Sequence, residues 1–395
     1  MKSLDKRLQV LKGHVEDGAI TVMVMGLGSV GTYLLDYLIS RNDPALKVVV
    51  VGRNADKLES DSNIVRIGAL IRGLNRSQIV VEPGVDFNNI EQMADCIGKH
   101  KPDFLVNSSR AYSGLKYGSI SWKHLRSYGI WSPLAVKYTR NIMEAAERAD
   151  ADAIVINTSY SDAVIPWLKS AKKGYPDFGS GNLNHLVPRM KYAAAALLGA
   201  ADFWNIDITL ATGHFHDVVI SKEGHSEGVD PLLQICYQGK EVSCDLKQVI
   251  ARCQIPMPVD AKRNMMNASS NYEIITAIID AIRNKEKRKI HSPGAFGEMG
   301  GYPVIIDGSQ GKVTAEIDTS VFKLGQMQQA NGQSLALDGV EGILDGSLFY
   351  TDKLLEKVWG NFGVQLPKSV GFDEIDEVAD KIIQEIITPT LKAGS

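Results

Sequence analysis

No segment of this chain approaches the roughly 20 uninterrupted apolar residues that a membrane-spanning helix requires. Residues 1–18 are charged and amphipathic and lack the apolar core of a secretory leader, so a cytoplasmic protein is expected. Cysteine is scarce. The four that occur, Cys96, Cys236, Cys244 and Cys253, show no Cys-x-x-Cys spacing, which argues against a zinc knuckle or a disulfide framework and predicts free thiols. An excess of one charge is also missing. With 43 Lys+Arg against 46 Asp+Glu, no basic field is available to hold nucleic acid or an acidic membrane surface, and small molecules are the expected partners.

What is present is a chain of ordinary globular composition, 44% hydrophobic and 23% charged, whose 395 residues exceed one simple core and suit two domains. In residues 3–15, Leu4, Leu8, Leu11 and Val15 recur at helical spacing and predict a docking helix. The run 20–25 reads as a buried strand, and 33–39 as a helix. Apolar runs at 48–51, 79–81 and 104–106, with a helical stretch at 90–99, make strand and helix alternate, which implies a parallel sheet. A further strand, 153–156, ends in Asn157-Thr158-Ser159. Beyond it the pattern changes: a helix over 183–198, a strand over 207–211, a helix over 274–282 with Ile274, Ile278 and Ile282 on one stripe, and a hairpin joining 302–306 to 312–317. The expected class is therefore α/β, with an N-terminal helical extension (1–18), a parallel-sheet domain (19–157) and an α+β substrate or catalytic domain (158–395).

Between the first strand and its helix stands Gly26-Leu27-Gly28-Ser29-Val30-Gly31. A GxGxxG pattern has a mechanism in this context: a tight turn, close approach of backbone to pyrophosphate, and a helix N-terminus facing that charge. Residues 19–157 thus read as a Rossmann domain binding a nicotinamide dinucleotide, with Gly26, Gly28, Ser29, Val30 and Gly31 at the phosphates and Asn107 and Ser108 at the next strand end. A fold selective for NAD wants an acidic residue at the end of the second strand. Here Gly52-Arg53-Asn54 stands instead, and a guanidinium at Arg53, with Asn54, suits the 2′-phosphate of NADP. NADP is the expected cofactor, with NAD the alternative.

From Val22 to about Ile387 the chain resembles the lactate/malate dehydrogenase superfamily, distantly. The pieces that carry the resemblance are the glycine loop, Asn157 after a strand, Gly179-Ser180-Gly181 with Asn182-Leu183-Asn184, then Arg189-Met190-Lys191-Tyr192, Gly213-His214-Phe215-His216-Asp217 and Gly300-Gly301-Tyr302-Pro303-Val304. The resemblance implies an NAD(P)-dependent oxidoreductase that moves hydride between the nicotinamide and a 2-oxo or 2-hydroxy acid. It also implies a homodimer or homotetramer, to which residues 3–15 would add an amphipathic surface. It assigns Asn157 to substrate and cofactor, Arg126 to a mobile loop that polarises the carbonyl, and Arg189 to the substrate carboxylate. The proton donor is His214 or His216, which would share a face of an extended segment; His214 is preferred. The family's orienting aspartate falls on Asn184, so either another carboxylate such as Asp217 or Asp162 replaces it or the chemistry differs.

The same region is locally similar to the NAD-dependent family 4 glycosidases, which hold a divalent metal. Asn184-His185-Leu186-Val187-Pro188 and Gly213-His214-Phe215 fill the corresponding places, but Asn184 stands where the metal-binding cysteine belongs, and no residue is assigned to a metal. A dinucleotide-binding sensor without activity is a third reading, supported by the same Asn184.

Overall fold

The computed structural model describes residues 1–393, so the last two residues of the expected second domain lie outside the described residues. The N-terminal half runs α1 (Leu4–Asp17), β1 (Ile20–Met25), α2 (Ser29–Ser40), β2 (Leu46–Gly52), α3 (Ala55–Ile71), β3 (Gln78–Pro83), α4 (Ile90–His100), β4 (Phe104–Asn107), α5 (Gly114–Ile120), α6 (Ser132–Arg148), β5 (Ile154–Asn157), α7 (Ser161–Ser170) and β6 (Phe178–Gly179). The six strands form one sheet in the order β3-β2-β1-β4-β5-β6, every neighbouring pair parallel. All residues of β1, β4 and β5 are buried, as expected for strands covered by helices on both faces. The sheet does not end at Asn157, the expected boundary: β6 pairs with β5 and completes it. A two-residue strand is too short for any periodic signal.

The rest of the chain forms α8 (Asn182–Leu198), β7 (Ile206–Ala211), α9 (His214–Glu223), β8 (Leu232–Tyr237), β9 (Lys240–Glu241), α10 (Leu246–Arg252), α11 (Asn264–Asn284), β10 (Lys287–Pro293), β11 (Gly301–Asp307), β12 (Thr314–Ile317), α12 (Leu324–Leu337), β13 (Val340–Leu344), β14 (Ser347–Tyr350), α13 (Asp352–Phe362), β15 (Ser369–Gly371) and α14 (Ile375–Lys381). Its strands make three small antiparallel sheets. The expected hairpin is the β11–β12 pair. The C-terminal part returns to the first domain: Val340, Tyr350, Ile375 and Ile382 share a core with Met23 and Val49 of the parallel sheet and Ile142 of α6.

Helix α1 follows its sequence pattern, with Leu8, Leu11 and Val15 buried and Gly18, in the left-handed region at φ 71, ending it. Its apolar stripe, however, is covered by this same chain. Leu8 and Leu11 join the core containing Val22 of β1 and Ile274 of α11, and burying each contributes about 1.5–3 kcal/mol. Arg7 reaches across to a bidentate pair with Asp177, both bonds at 2.6 Å, and donates to the carbonyl of Ala153 at 2.6 Å. The buried stripe of α1 is therefore not the surface on which the expected homodimer or homotetramer would pair. None of the four cysteines is disulfide-bonded. Among the described residues no helix is long and apolar enough to cross a membrane.

Candidate active site

The strand order reverses between β1 and β4, and the crevice beyond their carboxyl ends is where an open α/β sheet binds its ligands. A cavity of about 410 Å³ lies there, walled on one side by Gly28, Ser29 and Val30 and on the other by α9. The glycine loop is built for close approach. Gly26 adopts φ 98, and a Cβ on Gly31 would sit 2.2 Å from the Gly26 carbonyl oxygen, so only glycine lets α2 begin this close to the turn. A Cβ on Gly28 would meet nothing within 4 Å, which leaves open space beside the N-terminus of α2. Ser108, after β4, donates from Oγ to the Gly26 carbonyl at 2.7 Å and fastens the loop to the neighbouring strand. These groups fit a dinucleotide pyrophosphate.

Across the cavity stands His214, the first residue of α9. Its backbone N–H donates to Oδ1 of Asp162 at 3.1 Å, a carboxylate cap on a helix N-terminus. Its Nδ1 lies 2.7 Å from Oδ2 of Asp338, the fully buried residue that closes α12. Asp338 is itself held from three sides. Tyr160 OH donates to Oδ2 at 2.9 Å, the Tyr128 N–H donates to Oδ1 at 2.7 Å, and the Asp338 carbonyl accepts from Gly129 N–H at 2.8 Å and from Ser127 Oγ. A Cβ on Gly129 would come within 2.5 Å of that carbonyl oxygen, so the contact requires glycine. The rings of Tyr128 and Tyr160 meet His214 edge-on at 4.9 and 5.0 Å. Tyr160 reaches its place from a left-handed backbone, φ 45 and ψ 51, a strained conformation for a tyrosine.

Burial disfavours the charged imidazole of His214, but Asp338, aided by Asp162 and Asp217, outweighs it and the pKa is raised. For Asp162 burial dominates and pushes the carboxyl up to about 6, despite His214 nearby. The site therefore carries two titratable groups whose affinity for a proton is raised, His214 by its carboxylate neighbours and Asp162 by burial.

Secondary structure places the two histidines on different faces. Residues 214–223 are helical rather than extended, so His214 and His216 are separated by about 200° around α9. His216 points away from the cavity, with Nδ1 2.6 Å from Ser334 Oγ and Nε2 2.5 Å from the Val229 carbonyl, and burial lowers its pKa.

Several expected residues are held elsewhere. Arg126 does not line the cavity: it stacks on Trp122, forks onto Glu223 and reaches Glu227 at 2.7 Å. Arg110, directly after β4, is the cation that the switch-point loop brings to the cavity. Arg189 is 3% exposed and spends its guanidinium on the carbonyls of Cys253 and Ile255, at 3.0 and 3.4 Å, and on Met257 Sδ, fixing the segment between α10 and α11. Asn157 is fully buried and internally satisfied: it donates to Ser159 O and Ser161 Oγ and accepts from Asn107 and Thr139. Asn107 belongs to that same network. Asn184 joins Gly181 N–H, Glu273 and the His291 carbonyl, not His214, while Asn54 caps α3 through Lys57 N–H at 2.9 Å. In each case the polar groups are taken up by partners within the protein: carboxylates for Arg126, backbone carbonyls and a sulfur for Arg189, and a mixture of side chains and backbone for the asparagines.

His185 also lines the cavity, but it pairs with Asp217 at 3.6 Å rather than with His214. Three metal-ligating side chains converge, among the described residues, at Glu82, Cys96 and His100 and at Glu223, His225 and Glu227, and neither group includes His185 or His214.

No family model matches this chain, and no curated protein matches it in sequence. Solved structures do. The malate dehydrogenase of Aeropyrum pernix superposes with a TM-score of 0.53 at 15% identity, over 80% of this chain and 97% of that one. A Cryptosporidium parvum lactate dehydrogenase, solved with lactic acid and nicotinamide adenine dinucleotide, gives 0.53 at 14% over 81% and 97%. The malate dehydrogenase of Cryptosporidium parvum gives 0.52 at 12% over 81% and 98%. The chain thus has the lactate/malate dehydrogenase fold over about four fifths of its length.

Proposed function

We propose that this protein is a nicotinamide-dependent dehydrogenase that interconverts a 2-oxo acid and its 2-hydroxy acid. The observation that carries the reading is the His214–Asp338 pair, placed across one cavity from the phosphate loop. A buried imidazole oriented through Nδ1 by a carboxylate leaves Nε2 to give a proton to a nascent alkoxide, or to take it back in the reverse direction. The similar lactate dehydrogenase was solved with lactic acid and the dinucleotide, which fits this assignment. The sensor reading rested on the missing aspartate, and Asp338 removes that ground.

The bound nicotinamide supplies or accepts the hydride. Gly28, Ser29 and Val30 would hold its pyrophosphate at the α2 N-terminus, and Ser108 keeps that loop in place. Arg110, exposed on the loop after β4 and lining the cavity, is the cation available to the substrate carbonyl or carboxylate. NADP is the preferred cofactor. Gly52 ends β2 and exposed Arg53 follows, its nearest carboxylate being Asp86 at 3.9 Å, a weak surface pair that a 2′-phosphate would displace. Titration with reduced NADP and NAD, followed by turnover against a panel of 2-oxo acids, tests the reading. Cofactor binding without oxidation by any 2-oxo acid would reject it.

A further inference from the structure

Helix α9 presents five residues to the cavity at helical spacing: His214, Asp217, Val218, Ser221 and Lys222. With a rise of ~1.5 Å per residue, Asp217 lies ~4.5 Å and Lys222 ~12 Å along the axis from His214. His214 has its partner in Asp338, but the charged positions beyond it are incompletely paired. Asp217 is 6% exposed and its Oδ1 has no hydrogen-bond partner; Asp162, 1% exposed, has an unpartnered Oδ2 on the same cavity. A buried carboxylate oxygen without a donor is costly, so these two call for a donor, and best for a cation. Arg189 lies near Asp217, but its terminal nitrogens are bonded to backbone and sulfur and its Nε, also without a partner, makes no hydrogen bond to Oδ1; His185 reaches the other oxygen of Asp217 at 3.6 Å.

Farther along, the charge reverses. Lys222 rests on the Trp122 ring at 4.8 Å, and Arg263, just before α11, faces the same space. Neither makes an ion pair among the described residues. Burial and the nearby Arg263 charge hold the Lys222 pKa below its usual value, and the neighbouring Glu223 does not offset them. Pyruvate or lactate would satisfy none of these groups beyond His214 and Arg110.

We infer that the substrate is an extended acid with an amino group, bound by Asp217 and Asp162, and a distal carboxylate, bound by Lys222 and Arg263. This rests on the dehydrogenase reading for which carbon reacts, but not for how the chain is recognised. In this arrangement His214 faces the reacting carbon, Asp217 and Asp162 lie nearer to it for the amine, and Lys222 and Arg263 are the cations left for the carboxylate beside that amine.

The test is calorimetric titration of the full chain, with and without saturating NADP⁺, in which no hydride can pass to a 2-oxo acid. Three probes are compared: pyruvate, 2-oxoheptanedioate, which adds the distal carboxylate, and 2-amino-6-oxoheptanedioate, which adds the amine as well. Affinity is expected to rise by about tenfold at each step. Lys222→Met and Arg263→Met should abolish the first gain, and the isosteric Asp217→Asn the second, with circular dichroism and thermal melting confirming that each variant is folded. Equal affinity for all three probes, or gains that survive in these variants, would overturn the inference. Because the readout is binding, an affinity series with no hydride transfer would sink the dehydrogenase reading alone, whereas turnover of pyruvate with a flat series would sink this inference alone.

Discussion

Oδ2 of Asp338 and Nδ1 of His214 lie 2.7 Å apart although 124 residues separate them. The pair joins the end of α12 to the start of α9, and the same carboxylate collects Tyr160 and the Tyr128 backbone. One aspartate thereby holds the imidazole, two aromatic rings around it and the chain leading into α6.

Replacing His214 with Ala is expected to lower kcat by about 10² to 10⁴ while leaving the affinity for reduced NADP unchanged, since the ring touches neither the glycine loop nor its supports. His216→Ala is the contrast. It removes a fully buried ring bonded to Ser334 and Val229, so it should cost stability, on the order of 1–3 kcal/mol in urea denaturation, rather than the chemical step. Loss of turnover at His216 alone would refute the assignment.

The pH profile gives a second handle. Reduction needs protonated His214, whose pKa is raised, so kcat/KM for reduction should hold at low pH and fall only as pH passes that raised value. Asp338→Asn removes the main charge that raises it, and the descending limb should move to lower pH. An unmoved limb would mean that another group gives the proton.

Arg110→Leu should lower kcat/KM by on the order of 10²-fold through loss of a charged contact in the transition state. Arg189→Leu should behave differently. Its guanidinium holds Cys253 and Ile255 carbonyls, so the expected result is a lower melting temperature, with a kinetic defect only as far as the segment carrying Arg263 is displaced. A severe catalytic loss at full stability would return Arg189 to the substrate.

Cofactor choice is read by titrating reduced NADP and NAD against the unmodified chain and Arg53→Asp. NADP should bind more tightly to the former, and the order should reverse in the latter, where a carboxylate repels the 2′-phosphate and accepts from the ribose hydroxyls. Preference for NAD in the unmodified chain would contradict the expectation.

Buried Arg7 offers a test of the extension. Arg7→Met leaves Asp177 without its partner, the side chains being only 7% and 6% exposed, and should cost about 3–5 kcal/mol in denaturant unfolding. A neutral result would show that α1 docks through its leucines alone.

Local pattern determined much of this molecule. Alternating apolar runs and helical stripes specify elements within a few residues of where they lie, and the glycine loop identifies the crevice because its function depends on backbone shape over six consecutive positions. Leu8, Leu11 and Val15 likewise made α1 legible. The pattern did not say what those leucines would cover, since an amphipathic stripe is the same whether its partner is another subunit or α11 of the same chain. Single polar residues were harder still. Asn157, Asn184, Arg126 and Arg189 stand where the resemblance places a site, yet each is bonded to other groups of the protein, for three of them to groups 64 residues or more away along the chain. The residues that do face the cavity, Arg110, Tyr160, Asp162, Lys222, Arg263 and, behind His214, Asp338, come from elements scattered over most of the sequence. Only the tertiary structure could decide this, because a hydrogen bond depends on distances of a few ångströms between groups whose separation along the chain carries no periodic signal.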